Sequence, residues 1–199
     1  MNCRLCDKER PLIKAHIIPE GFFRVLRDET EVPHLLTNKP GAYPKKAPIG
    51  VYDKSILCKD CDQIFAPWDD HAQQVMLHEF SNALPIEVGQ TRFGWRIDRF
   101  DYSQLKLFFI SLLWRASVSM HDFYRKVSLG RFEDELKDII RKKEPGPADA
   151  FAVTLAKFDH PDLTCMLDPH TERFHGINYC RFYLAGFTAH IKVDHRPSP

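Results

Sequence analysis

Two cysteine pairs, Cys3-x2-Cys6 and Cys58-x2-Cys61, stand 51 residues apart. Each pair is a knuckle whose turn aims two sulfurs at one point, so two knuckles together supply the tetrahedral four-thiolate set of a structural zinc site. Such a site is closed. It pins the start of the chain to the region around Cys58 and leaves no coordination position for water, which makes it a scaffold and not a catalyst. The chain opens on Cys3 and charged residues instead of an apolar signal segment, so a cytoplasmic location is expected. In that reducing setting the six cysteines do not form a disulfide framework. Cys165 and Cys180 fall in strand-like patterns and read as core residues.

With 199 residues, 44% of them apolar, the chain can bury one sizeable core, or one core with a small appended module. A net charge of +1 does not announce a nucleic-acid binder, so any such role rests on local charge. Residues 1–61 carry eleven Lys and Arg against eight Asp and Glu, a mild local excess. The most apolar run, 105–120, is interrupted by Arg115 and is too short to span a bilayer; it reads as a buried helix, with no membrane partner.

The spacing predicts a strand in PLIKAHI, a helical stretch over 19–27 with Phe22, Phe23 and Leu26 on one face, and a loop over 37–50, where three prolines and two glycines fall. VYDKSILC is a second strand. A helix follows from about Lys59 with a kink near Pro67. The stretch 82–100 alternates like a strand pair, and Asp101 or Ser103 caps the buried helix that runs to about Met120. In RFEDELKDIIRKK, Phe132, Leu136, Ile139 and Ile140 share a face. From Phe151 on, FAVTLAKFD, TCMLD and CRFYLAGFTAHIKVD predict an antiparallel sheet of three or four strands, with 168–176 as a polar hairpin turn between two of them.

Within residues 1–80, KAHIIP (14–19), Asp53, the second knuckle and DQIF (62–65) follow one another in an order that resembles the HNH endonuclease family in its zinc-knuckle form. The resemblance implies an α+β protein: an N-terminal zinc-stabilised ββα-metal module over 1–80, then an accessory region over 81–199 of helices and a C-terminal antiparallel sheet. It also implies a metal-dependent endonuclease acting on DNA. His16 would be the general base that activates water, Asp53 would orient it from the slot where the family carries Asn, and Asp62, in the last-His slot, would ligate Mg2+ or Mn2+. Asp53, Asp60 and His71 are candidates for a second ligand. Where the family places an acid before the base, this chain has Ala15.

In such a module the segment between the two strands lies beside the substrate, so Lys39, Lys45 and Lys46 are expected to neutralise phosphates. Arg92, Arg96 and Arg99 alternate with apolar residues and could add a basic strand face. His71 and His78 are seven apart and could share a helix face. The C-terminal half has no catalytic signature; it supports the module, recognises substrate or builds a homodimer interface. The competing expectation is a non-catalytic zinc-stabilised module that binds nucleic acid or protein, with the HNH-like site degenerate.

Overall fold

The computed structural model describes residues 1–27, 32–36, 41, 43–160 and 166–197. The first knuckle turns back on itself, the Asp7 N–H donating to the Cys3 carbonyl at 2.9 Å. Strand β1 (Ala15–His16) pairs antiparallel with β4 (Tyr52–Asp53), setting Ala15 opposite Asp53 and His16 opposite Tyr52. Both predicted strands are thus shorter than their apolar stretches. Between them lie α1 (Glu20–Arg24), entered through Pro19, and a small pair, β2 (His34–Leu35) just before the stretch predicted as loop and β3 (Lys45–Lys46) inside it. Lys39 and Cys165 lie outside the described residues.

The second knuckle opens into α2 (Lys59–Asp62), and α3 (Ala66–Gln73) follows with Pro67 in its first turn, where a missing N–H costs nothing. The predicted kink is therefore a break between two helices. A π-turn over Gln74–His78 and a 3₁₀ turn over Glu79–Asn82 complete this run. The exposed hairpin β5 (Leu84–Val88) and β6 (Thr91–Arg96) leads to α4 (Tyr102–Val118). Asp101 caps α4 by accepting the Gln104 N–H at 3.0 Å, satisfying a donor the helix itself cannot. Helix α5 (Phe132–Lys142) has acids in its first turn and bases in its last, matching its dipole.

Strands β7 (Val153–Lys157), β8 (His170–Phe174), β9 (Ile177–Leu184) and β10 (Phe187–Lys192) form one antiparallel sheet in the order β7-β10-β9-β8. The molecule is α+β with a C-terminal antiparallel sheet, as the patterning predicts. The segment 168–176 differs from expectation: His170–Phe174 is a strand registered on β9, and the turn shrinks to His175 and Gly176, both at positive φ. Of TCMLD, residues 166–168 are irregular.

Alternate residues of β9, Cys180, Phe182 and Leu184, face the core. That core is continuous. Ile17, Phe22, Phe65 and Trp68 join Phe108, Leu112 and Trp114 of α4 and reach Cys180, Phe182 and Ile191 of the sheet. Helix α4 is buried on nearly all sides, as expected of a central helix. Among the described residues no helix is long and apolar enough to cross a membrane.

Candidate metal centre and the His16 cleft

Cys3 and Cys58 are buried within the core and Cys61 is 6% exposed. Ligand atoms of Cys3, Cys6, Cys58 and Cys61 all lie within 4.8 Å of one another. A tetrahedral ion with metal–sulfur bonds of about 2.3 Å needs sulfurs about 3.8 Å apart, so the four are placed to hold a metal ion and their chemistry suits zinc. The Cys58 N–H donates to the Cys3 sulfur at 3.4 Å, a contact that favours thiolate. Burial would raise the Cys3 thiol, but the N–H groups of Cys6, Cys58 and Leu5 and the Cys61 thiol bring it down to about 7. Cys61 moves up instead, through burial and then through the three thiols around it.

Helix α5 clamps the first knuckle from outside. Arg141 Nε donates to the Leu5 carbonyl at 2.9 Å, and Lys137 and Arg141 each reach the Asp7 carboxylate at 2.7 Å.

His16 is half-buried at the end of β1. Its Nε2 lies 3.0 Å from the Ile49 carbonyl. A carbonyl only accepts, so this bond requires the proton on Nε2 and leaves the lone pair of the neutral ring on Nδ1. Gly50, next to that carbonyl, has φ +82°, and a Cβ there would come within 2.2 Å of the Phe23 ring; only glycine lets the chain pass close enough to hold Ile49 in place. The backbone carbonyl of His16 accepts from Arg115 Nη1 at 3.0 Å.

Arg115 is 1% exposed. Its guanidinium makes a bidentate pair with Asp69 at 2.9 and 2.7 Å, takes Ser111 Oγ at 3.2 Å and lies over the Phe65 ring. Neither Arg115 nor Asp69 stands out in the sequence as part of a site. The available signal was a lone arginine inside an apolar helix, which requires a carboxylate partner somewhere in the fold.

Residues His16, Glu20, Asp62, Asp70, Gln73 and Arg115 are among those that line a cleft of about 320 Å³. Asp62 therefore faces the same space as His16, from the last position of α2. Burial pushes the Asp62 carboxyl above its usual range, and the charges of Arg115 and His16 only partly offset this. Asp53 lies elsewhere. The ladder puts it on the face opposite His16, where Oδ1 accepts from Ser55 N and Oγ at 2.8 and 2.6 Å, and Oδ2 from Ser119 Oγ and Met120 N at 2.7 and 2.9 Å. The partner that orients His16 is the Ile49 carbonyl, in the place expected for Asp53. Asp60 is paired with Arg10, and His71 Nε2 accepts the Asp101 N–H at 3.0 Å. Both are thereby engaged outside the cleft. The π-turn breaks the helical repeat between His71 and His78.

Lys45 and Lys46 are exposed on β3 and line a second groove, of about 580 Å³. Arg92 is tied to Asp159 and Arg96 to Asp98. Compared with protein-family models, with curated proteins and with solved structures, the chain finds no match.

Proposed function

We propose that the protein is a zinc-stabilised, divalent-cation-dependent nuclease of the HNH type acting on DNA, with His16 as its general base. One observation carries the reading: an imidazole whose tautomer is fixed by a backbone carbonyl shares a cleft with the Asp62 carboxylate. His16 Nδ1 takes a proton from water, the oxygen so activated attacks phosphorus, and the P–O bond on the far side breaks, its oxygen leaving with a proton from solvent. Mg2+ or Mn2+, bound through the hard oxygens of Asp62 and neighbours such as Glu20 or Asp70, would supply positive charge against the charge developing on the phosphate. Arg115 acts as a positioning residue through the His16 carbonyl. Lys45 and Lys46 neutralise flanking phosphates.

A second reading is a module that binds nucleic acid without cutting it. It is favoured by one fact: among the described residues, the cysteine quartet is the one group of three or more His, Cys, Asp or Glu side chains gathered closely enough to hold a metal ion. Supercoiled plasmid incubated with Mg2+ or Mn2+ separates the two. The nuclease nicks it, and His16→Ala, still carrying its zinc, loses at least about a hundredfold in rate. Equal inertness of both proteins with binding retained would leave the second reading standing.

A further inference from the structure

Beside the larger groove, further cations extend the proposed role of Lys45 and Lys46: Lys54 lines it, and Lys14 lies against its Tyr52 wall. Lys14 and His16 are two residues apart along one side of the β1–β4 ladder, and Tyr52 and Lys54 two apart along the other. In an extended ladder, residues two apart share a face. The contacts agree. The His16 and Tyr52 rings meet edge to face at 6.0 Å, and the Lys14 and Lys54 ammonium groups sit 5.3 and 5.9 Å from the Tyr52 centroid. Tyr52 thus holds two like charges close together, through the attraction of its ring for cations. Lys45 and Lys46 face the same groove from β3, and Ile49, whose carbonyl fixes His16, forms part of its wall. Among the described residues of that lining the one acid, Asp53, has both oxygens committed to Ser55, Ser119 and Met120.

Lys14 and Lys54 thus flank one aromatic ring, and Lys54, Lys45 and Lys46 line the groove shared by that ring and Ile49, the two groups in contact with the imidazole. We infer that this groove is the track for a nucleic-acid strand, in which Lys14, Lys54, Lys45 and Lys46 take successive backbone phosphates and deliver one of them to His16. The inference rests on the nuclease reading for its direction, but binding along the track requires no cleavage.

Each lysine that neutralises a phosphate steepens the fall of log K with log salt by about 0.7 on a single strand and about 0.9 on a duplex. Fluorescence anisotropy with a labelled oligonucleotide, single-stranded and duplex, over a salt series without added divalent cation, reads this slope for the zinc-loaded protein. Lys14→Gln/Lys54→Gln should lower it by about 1.4 to 1.8, and Lys45→Gln/Lys46→Gln by a similar amount. Lys14→Arg/Lys54→Arg should keep it, as should Lys8→Gln/Lys142→Gln, which removes equal charge from exposed sites on other elements. Far-UV circular dichroism of each variant excludes unfolding as the cause.

An unchanged slope in both groove variants, a loss equalled by the Lys8/Lys142 control, or no binding by the wild-type protein overturns the track. Binding with the expected slopes but no nicking leaves the track and removes the nuclease. Nicking by the wild type with unaltered slopes in the groove variants does the reverse.

Discussion

Asp53 and Asp62 lie nine residues apart, and their surroundings drive them in opposite directions. Burial alone would raise Asp53, but hydrogen bonds from Ser55, Ser119 and Met120 more than reverse it and hold the carboxyl below the ordinary 3.8. Asp62 has burial without comparable donors and moves up. A carboxylate with a depressed folded value contributes stability that is present above 3.8 and disappears as the pH falls through that folded value. Asp53→Asn should therefore cost about 1–3 kcal/mol at neutral pH, since an amide cannot accept from all four donors. The difference between wild type and variant, followed by urea unfolding, should shrink below about pH 4. A gap that stays constant down to pH 3 would contradict this account. The same residue marks what the sequence could convey. A carboxylate at that spacing is visible, whereas the alternation of faces in a two-residue ladder, which turns Asp53 away from His16, follows only from the register.

At the scale of elements, the legible parts were those with their own period: the buried helix α4, the amphipathic α5 and the alternating strand β9. Each carries its burial pattern locally. The short pairs β1–β4 and β2–β3 do not, because two residues are too few to show a period, and they form because the chain around them is pinned. Strand β8 looked like a turn since His170, Glu172 and His175 are polar; its Glu172 is matched by Arg181 on the neighbouring strand and by His190 one strand further, at 2.6 and 2.7 Å, a pairing set by strand register. The Arg115–Asp69 bridge spans 46 residues and, with the His16 carbonyl, joins α3, α4 and β1. Arg115→Met should leave Asp69 as an uncompensated, poorly solvated charge, costing about 3–5 kcal/mol, or of order 10 °C in Tm for a chain of this size. Arg115→Met/Asp69→Leu should recover most of that loss, because two apolar groups have no charge to desolvate. A double variant as unstable as the single one would mean that the pair contributes through the His16 carbonyl and packing, not through charge.

For the whole molecule, the decisive feature is that the cysteine quartet is part of the core and not a detachable finger. Phe65, four residues beyond Cys61, contacts Trp68 at 5.9 Å and Trp114 of α4 at 6.5 Å, and Cys3, Leu5 and Cys58 belong to the same cluster as the sheet. The contacts that remain at the first knuckle without metal include the Asp7 ion pairs with Lys137 and Arg141, and exposed pairs of this kind add little. Zinc binding at such a site is itself folding free energy, about 10–16 kcal/mol in isolated fingers, which is comparable to the whole stability of a domain, about 5–15 kcal/mol. Removing the ion should thus unfold both halves together. We expect one zinc per chain by elemental analysis and none in Cys61→Ser. Chelation should abolish the near-ultraviolet dichroism of buried Trp68 and Trp114 in the same transition that reduces the far-ultraviolet helix signal. If chelation released the ion but left the Trp114 environment and Tm unchanged, the quartet would be a local clasp, and the placement of His16 would depend on Arg115 and Ile49 alone.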